Sequence, residues 1–444
     1  MLWIPRRGSA ERKTVAIDEK AVAALRDRVI GPEHKGMPPA AWGRTVHEFL
    51  ATGPFLDDFE TPLLTLDRAA MTANLSVMAD WASAAGVRLA PHGKTTMAPQ
   101  LWSEQLAAGC WGITLATVWQ VQLARAFGVS RVVLANALLD PIGLRWVATE
   151  LARDADFEFY CWVDDVAAVA LMDEALADAP DVRIAVVIEL GGPGGRTGLR
   201  RVEDAHAVAD AVRRSRRLTL AGVGGYEAAL AHDRGADALA AVDRYLDELA
   251  RLHREFADGG RYPGRAIVTA GGSAYQDLVV DHLARLADEQ GAQGVPTTVV
   301  LRSGAYLIHD DGFYAGISPL VADRTDRPLR AAMHGWARTL SRPEPELALL
   351  DGGKRDLPYD LGLPVPQLVS GSPVPSGATV SALNDQHAFV RLPGATAADL
   401  PVGSVVRLGL SHPCTAFDKW RLIPVVDDAD AERLRVVDLV HTFF

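Results

Sequence analysis

The sequence has few cysteines and no excess of positive charge. Its 444 residues include three cysteines, Cys110, Cys161 and Cys414, and no two of them form a Cys-x-x-Cys pair. An odd, scattered set of this kind argues against a disulfide framework and indicates a reducing compartment. The formal net charge of -11 argues against a nucleic-acid or membrane-surface partner, because both require a basic face.

Long apolar runs are also missing. No stretch approaches the ~20 uncharged apolar residues that a membrane-spanning helix needs, and residues 1–15 lack the apolar core of a signal peptide. We therefore expect a cytoplasmic protein. Short apolar runs are abundant instead: 49% of the residues are hydrophobic and 23% are charged, so the chain can bury a large core.

The short apolar runs alternate with helical patterns from residue 61 onward. Eight β-rich runs follow one another: VRLA, GITLAT, RVVLANAL, DFEFYCWV, RIAVVIEL, LTLAGVGGY, AIVTAGGS and TTVVLRSG. Strands separated by helices predict a parallel (β/α)8 barrel. An open doubly wound sheet is the alternative, but no Gly-x-Gly-x-x-Gly follows the first strand.

The pattern divides the chain into three segments. Residues 1–60 hold helical pieces and loops, including an amphipathic stretch over residues 16–30. Residues 61–320 begin with the short strand TPLLTLD and contain the predicted barrel. Residues 321–444 contain short β-like runs separated by Pro/Gly-rich turns, which predict a C-terminal, mainly β domain.

A lysine stands directly after the first barrel strand, in PHGKTTMAPQ (residues 91–100). Functional groups of a βα barrel lie after its strands, at the C-terminal face. An apolar wall there would lower the pKa of Lys94 and free its amine to form a Schiff base with a carbonyl. The alternative is a solvated loop lysine.

Two Gly-rich strand ends predict an anion site. TAGGSAYQ (269–276) and LRSGAYLI (301–308) offer backbone N–H groups and the hydroxyls of Ser273, Ser303 and Tyr306. The last two strands of a βα barrel are the usual phosphate site of that fold. Simple turns are the alternative for each stretch.

Two other strand ends carry candidate ligand contacts. ELGGPGGRTG places Arg196 after one strand, and GVGGYE places Tyr226 and Glu227 after the next. All three lie on the predicted functional face. A solvated arginine and an aromatic residue that caps the barrel core are the alternatives.

The β segment contains a possible metal site in SHPCTAFDKW (411–420). On an extended segment His412 and Cys414 would point the same way, and imidazole with thiolate suits Zn²⁺ while leaving positions open for substrate. A structural histidine and a buried free cysteine are the alternative. His387 could supply a further ligand or an acid–base group.

Taken in order, these motifs over residues 60–425 resemble the fold-type III pyridoxal-phosphate enzymes. Within them the sequence is similar to the D-serine dehydratase and D-threonine aldolase branch. The resemblance implies an alanine-racemase-like barrel, a C-terminal β domain and a homodimer with active sites at the interface. It also implies a small-molecule D-amino acid substrate.

The resemblance implies roles for nine residues. Lys94 would form the Schiff base with pyridoxal phosphate, Arg196 would lie near its phenolic oxygen, and Tyr226 near its pyridine nitrogen. Four residues would surround the phosphate: Gly272, Ser273, Gly304 and Tyr306. His412 and Cys414 would bind a divalent metal, expected to be zinc.

The implied reaction is the dehydration of a D-3-hydroxy amino acid to a 2-oxo acid and ammonia. Aldolase relatives carry His-x-Asp at the metal pair, so Cys414 favours the dehydratase. Retro-aldol cleavage to glycine and an aldehyde is the main alternative, and a racemase or a non-catalytic cofactor-binding protein are further ones. Relatives often have histidine where this chain has Thr96, and the GGPGG before Arg196 is also unusual.

Overall fold

The computed structural model describes residues 15–289, 294–394 and 399–444. The stretch predicted to be amphipathic and helical begins as α1 (Glu19–Ala23), where the Asp18 side chain accepts hydrogen bonds from two backbone N–H groups of the first turn. It continues as a 3-10 turn over Ala24–Asp27 and ends there, so the helical part is shorter than predicted. A second short helix, α2 (Val46–Leu50), completes this part of the chain.

The first strand, β1 (Leu63–Asp67), does not belong to the barrel. It pairs antiparallel with a strand of the C-terminal segment, with Leu63 opposite Trp336, and parallel with another, with Leu66 opposite Val425. All five of its residues are buried, so this strand lies inside the second sheet. The division at residues 60 and 320 stays a prediction, but the chain contributes to the second sheet before it enters the barrel.

Eight parallel strands form the barrel-like sheet. They are β2 (Arg88–Leu89), β3 (Ile113–Leu115), β4 (Arg131–Ala137), β5 (Glu158–Val163), β6 (Ile184–Leu190), β7 (Leu218–Gly225), β8 (Ala266–Ala270) and β9 (Thr297–Leu301). Their order is β2-β9-β8-β7-β6-β5-β4-β3. A parallel bridge between His92 and Thr114 joins the end of β2 to β3, and this contact closes the curl. The (β/α)8 prediction is confirmed, with all eight strands within the predicted runs.

Helices alternate with these strands on the outside. They are α3 (Arg68–Ala84), α4 (Pro99–Ala107), α5 (Val118–Ala126), α6 (Pro141–Arg153), α7 (Val166–Ala175), α8 (Asp204–Arg214), α9 (Ala236–Asp258) and α10 (Gln276–Leu283). A short helix, α11 (Phe313–Ile317), follows β9 and lies at the barrel mouth. Inside the barrel, Val133, Trp162, Val187 and Ile267 pack together as a small cluster apart from the main core. This cluster fills the barrel interior below the carboxyl ends of the strands.

The C-terminal segment is mainly β, as predicted. Its strands are β10 (Met333–Glu344), β11 (Leu347–Leu350), β12 (Val365–Val369), β13 (Ser372–Pro373), β14 (Thr379–Leu383), β15 (Ala388–Arg391), β16 (Val405–Gly409), β17 (Leu422–Val426) and β18 (Val436–His441), with the short helix α12 (Pro413–Phe417). The sheet order is β13-β12-β16-β10-β1-β17-β18, and β11, β15 and β14 branch from β10. In the part of the chain that the structure describes, no helix is long and apolar enough to cross a bilayer.

Candidate active site

Lys94 lies where the sequence predicts a functional group. It sits in a 3-10 turn, Gly93–Thr95, which begins just after β2 and is tied down by a 3.1 Å hydrogen bond from Trp102 Nε1 to the Gly93 carbonyl. The turn is tightly packed, because a Cβ at Gly93 would lie 2.7 Å from Ile113 Cγ2. Lys94 therefore projects from a fixed turn into a cavity of about 410 Å³ at the barrel mouth.

Most of the predicted site residues line this cavity. They are Lys94, Arg196, Tyr226, Gly272, Ser273, Gly304, His412 and Cys414. The first six follow barrel strands, whereas the last two come from the β domain. The structure thus brings together residues that are more than 300 positions apart in the sequence.

Tyr306 is the exception, because its side chain is fully buried away from the cavity. Its hydroxyl lies 3.8 Å from Cys110 Sγ, since the 3-10 turn Ala305–Leu307 directs the ring into the core. Ser303 is also turned inward, and its hydroxyl donates to the Gly272 carbonyl at 2.8 Å or to Gln276. Neither hydroxyl reaches the cavity, so of the three hydroxyls predicted for the anion site only that of Ser273 remains in the lining.

The backbone of the first Gly-rich loop is already engaged. Glu227 is fully buried, and its carboxylate accepts hydrogen bonds from the N–H groups of Gly271 and Gly272, both at 2.9 Å. From the sequence, we expect these N–H groups to bind an anionic ligand. The structure shows instead that a protein carboxylate occupies them and holds the loop in place.

Two glycines make room for close packing at the cavity wall. A Cβ at Gly272 would lie 2.9 Å from Tyr226 Cε2, and a Cβ at Gly304 would lie 2.6 Å from His92 Cβ. Neither distance is compatible with a side chain. The glycines therefore let the strand ends approach the Tyr226 ring and His92.

The cavity is rich in cationic groups. Burial and the nearby Arg196 and Arg302 lower the pKa of Lys94, against an opposing effect of Cys414. The Arg196 guanidinium lies 4.8 Å from the centre of the Tyr226 ring. A cluster of this kind favours an anionic ligand and an amine that releases its proton easily.

Arg302 was not predicted as a site residue. It is 2% exposed, and its guanidinium donates to Thr269 Oγ1 at 2.6 Å and to the Gly225 carbonyl at 2.5 Å, above the Trp162 ring. Burial lowers its pKa, while Glu227 raises it. Its position directly after β9 was the signal that could have identified it.

Glu189 is a second unpredicted group in the lining. It is the second-to-last residue of β6, accepts a 3.1 Å hydrogen bond from Thr197 Oγ1, and has a pKa raised mainly by burial. Arg196 and Arg302 act in the opposite direction on this pKa. The carboxyl thus fixes the loop that carries Arg196.

His412 and Cys414 meet in a different way from the one predicted. They do not lie on an extended segment: His412 adopts a left-handed conformation (φ 54°) just before α12, and Cys414 lies in the first turn of that helix. The left-handed residue reverses the chain, and this turn brings the imidazole beside the thiol. Asp360, which the sequence did not reveal, accepts a 2.5 Å hydrogen bond from His412 Nδ1.

Charge separation is favoured within this pair. Burial opposes ionisation of both groups, but the Cys414 and Asp360 side chains outweigh it and raise the pKa of His412 to about 9. His412, Thr95 and Lys94 likewise outweigh burial and lower the pKa of Cys414. Cys414 is therefore disposed to be a thiolate, the form that binds metals.

His387, considered as a further ligand, is exposed in the turn between β14 and β15 and does not line the cavity. Tyr314, from α11, does line it, and burial raises the pKa of its hydroxyl. A protonated phenol is a proton donor rather than a base at neutral pH. Its distance in sequence from any strand concealed its place in the lining.

A second chamber of about 430 Å³ adjoins the cavity, because five residues line both. Its other walls are Ala228, Ala229, Ala231, His232, Ala274, Phe313 and Leu361. A larger hollow of about 810 Å³ lies over the second sheet, against Trp336 and Arg407, and contains none of the predicted site residues. The predicted site residues are therefore concentrated at the barrel mouth and not in this larger hollow.

Comparison with known proteins identifies two family domains. The alanine racemase N-terminal domain matches residues 66–278, and a putative serine dehydratase domain matches residues 332–426. A D-threonine aldolase from Arthrobacter sp. is 31% identical over 378 residues, which cover 84% of this chain and 90% of the aldolase. This chain belongs to that family of fold-type III pyridoxal-phosphate enzymes.

Two further proteins are similar over most of the chain. A D-threo-3-hydroxyaspartate dehydratase from Delftia sp. is 25% identical over 368 residues, with 80% of this chain and 91% of the dehydratase covered. The solved D-threonine aldolase from Filomicrobium marinum superimposes with a TM-score of 0.72 at 24% identity, over 88% of this chain and 97% of that one. The protein is accordingly a pyridoxal-phosphate-dependent lyase of the D-hydroxy amino acid type.

The residues of this lyase fit the cofactor. Its cavity has the size of a small-molecule site, and it combines the Lys94 amine with the Ser273 hydroxyl and closely packed glycine walls. Two buried nitrogens of its lining, His92 Nδ1 and Arg302 Nε, have no hydrogen-bond partner among the described residues. Buried polar groups usually have partners, so these two are suited to a ligand.

The His412–Cys414 pair fits a metal that also binds substrate. A carboxylate on the second ring nitrogen, as Asp360 provides, is the usual support of a metal-binding histidine. Among the residues described, no group of three or more His, Cys, Asp or Glu side chains is arranged to hold an ion. If a metal bound to this pair, other ligands such as water or substrate would have to complete its coordination.

Proposed function

We propose that the protein is a metal-assisted dehydratase of a D-3-hydroxy amino acid that yields a 2-oxo acid and ammonia. The observation that carries this proposal is that His412 and Cys414 line the same cavity as Lys94. Removing water from a 3-hydroxy amino acid requires a base for the α-proton and help for the departing hydroxyl. The barrel would supply the first and the β domain the second.

Pyridoxal phosphate, when bound, supplies an electron sink for the bond broken at Cα. The Lys94 amine would hold the cofactor and then take the α-proton, a role for which its lowered pKa suits it. Tyr226 and Arg196 would orient the ring, and Ser273 with Gly272 and Gly304 would border the phosphate. Glu227 supports that border by holding the loop backbone.

A divalent metal on His412 and Cys414, which we propose to be zinc, would supply Lewis-acid chemistry to the 3-hydroxyl. A solved D-threo-3-hydroxyaspartate dehydratase in which a cysteine is replaced by alanine is a metal-free form. Tyr314 lines the same cavity, and its phenol, protonated at neutral pH, would donate to the departing oxygen. The adjoining chamber would receive the substituent at C3.

Retro-aldol cleavage is the second candidate. The observation in its favour is the 31% identity to a D-threonine aldolase, which is higher than the 25% to the dehydratase. The same cavity would serve this reaction if a base removed the hydroxyl proton, so that the Cα–Cβ bond broke instead.

The products distinguish the two reactions. The purified enzyme, loaded with cofactor and zinc, is incubated with D-serine, D-threonine and D-3-hydroxyaspartate. Ammonia with a 2-oxo acid supports the dehydratase, and glycine with an aldehyde establishes the aldolase. Reaction of the L-isomers alone would overturn both proposals.

We further propose a homodimer that works in the cytoplasm on a small molecule. Large apolar side chains are exposed after three neighbouring strands at the barrel mouth: Trp119, Leu139, Ile142 and Val166. A second copy would cover this patch beside the cavity. Ile142→Asp should convert a dimer to monomers in light scattering, and a wild-type monomer would contradict the proposal. The three free cysteines accord with a reducing compartment.

A further inference from the structure

Two chain segments form a seam between the barrel and the β domain. One segment follows β9 and enters α11 (residues 309–315), and the other runs from the end of β16 into α12 (residues 409–414). They are joined by a backbone hydrogen bond of 2.9 Å from Asp311 N–H to the Leu410 carbonyl. The contact is tight, because a Cβ at Gly312 would lie 2.4 Å from Ser411 Cβ.

Asp310 ties this seam together with one buried carboxylate. Its Oδ1 accepts hydrogen bonds from the N–H groups of Gly312 at 3.1 Å, Tyr314 at 2.8 Å and Ala315 at 3.3 Å. Its Oδ2 accepts from the N–H of His412 at 3.0 Å. One oxygen thus holds the turn that carries Tyr314, and the other holds the backbone of His412.

The conformations on both sides require such support. His412 and His309 are left-handed, with φ of 54° and 47°, which side chains other than glycine rarely adopt. Strained backbone of this kind persists where surrounding contacts hold it, and it concentrates at functional sites. Without the bond to Asp310, the turn at His412 would lose a contact that holds its strained backbone.

We propose that Asp310 is the positioning residue that sets His412 and Tyr314 at the cavity. The proposal rests on the proposed function for the role of His412 in metal binding. Asp310 lies outside the lining and acts through the two backbones that it holds. The Asp310 carboxylate thereby fixes the position of His412, which comes from the β domain, relative to that of Tyr314, which follows the last barrel strand.

Asp310→Asn is the direct test, because the amide keeps the shape but replaces one accepting oxygen with an NH₂ group. The adjacent Asp311→Asn is the control: Asp311 is half-buried, and its carboxylate accepts a hydrogen bond from Gln367 at 3.0 Å on the side of the β domain. Zinc affinity, measured by chelator competition, should fall about 10–100-fold in Asp310→Asn, the range for lost supports of metal ligands. It should stay near the wild-type value in Asp311→Asn.

Two readouts separate positioning from general destabilisation. Cofactor absorbance should be retained in both variants, whereas the visible spectrum of bound cobalt should change only in Asp310→Asn. Hydrogen exchange over residues 409–417 should also accelerate only in that variant. Equal zinc affinity and equal exchange in the two variants would overturn the proposal.

The same experiment reports separately on the proposed function. A wild-type enzyme that binds no metal would refute the metal role, and hydrogen exchange would then decide the role of Asp310 by itself. If Asp310→Asn does not fold, Asp310→Glu is compared with Asp311→Glu, because it keeps the charge and moves only the oxygens. Unchanged zinc affinity in Asp310→Glu would count against the proposal.

Discussion

The two sides of the catalytic cavity are built in different ways. On the barrel side, Lys94, Tyr226 and Ser273 each follow a parallel strand, and the geometry of the barrel brings strand ends to one face. On the β-domain side, His412 and Cys414 stand on a left-handed turn and a five-residue helix. Position along a strand therefore predicts the first set, whereas the second depends on local contacts such as those of Asp310 and Asp360.

The largest effect should come from the barrel side. Lys94→Ala should reduce turnover by at least about 10²–10⁴-fold, since it removes the proposed base as well as the covalent attachment of the cofactor. The visible absorbance of the loaded enzyme should also disappear. Lys35→Ala is the control, because burial lowers that pKa as well, but the amine bonds Asp356 away from the cavity. A colourless wild type would refute the cofactor role of Lys94.

The next effect should come from the β-domain side. Cys414→Ala should lower turnover at least about 100-fold, since Lewis-acid assistance is worth several kcal/mol. Unlike the loss of Lys94, it should leave the cofactor absorbance intact. Cys110→Ala, which removes a buried thiol outside the cavity, should retain activity. Full turnover of Cys414→Ala, or of wild type in a chelator, would contradict the metal role.

Much of the barrel side could be predicted from the sequence. The alternation of strand and helix patterns predicted all eight barrel strands. The residues that follow these strands included Lys94, Arg196 and Tyr226, which line the cavity. The strand over residues 63–67 was predicted, but its sheet was not, because a short apolar run does not reveal its partners. Its partners come from the C-terminal segment, more than 260 residues away.

Side-chain direction could not be predicted in the same way. Tyr306 and Ser303 follow β9 as the anion-site prediction required, but a 3-10 turn directs one into the core and Gln276 with Gly272 engages the other. Gly272 was predicted to offer its N–H, which Glu227 takes instead. These outcomes depend on contacts between loops, which strand position does not specify.

A smaller effect is expected from a substitution in the closely packed cavity wall on the barrel side. Gly304→Ala would place a Cβ 2.6 Å from His92 Cβ and should cost about 1–3 kcal/mol, the range for overpacking. Cofactor affinity should fall with it, as measured by titration of the apoenzyme. Gly316→Ala is the control, because it is exposed in α11 with no atom within 4 Å of its Cβ. Equal affinities in the two variants would show that the wall is not close-packed.

The effect that is smallest at neutral pH, and grows only in acid, compares the two regions through their buried histidines. Burial lowers the pKa of His253 in α9 and of His334 in β10 to about 4. Between about pH 6.5 and 4, the unfolded chain would bind a proton at each site that the folded chain does not. Stability should therefore fall as the pH drops through this range, by up to about 1.36 kcal/mol per unit for each histidine.

His253→Gln and His334→Gln should each flatten this dependence in thermal unfolding measured from pH 7 to pH 4. His253 bonds Tyr262 and Thr297 within the barrel, whereas His334 lies in the second sheet. Because β1 connects that sheet to the barrel, we expect one cooperative transition that both substitutions change alike. Two transitions, each sensitive to a single substitution, would show that the two sides of the cavity unfold independently.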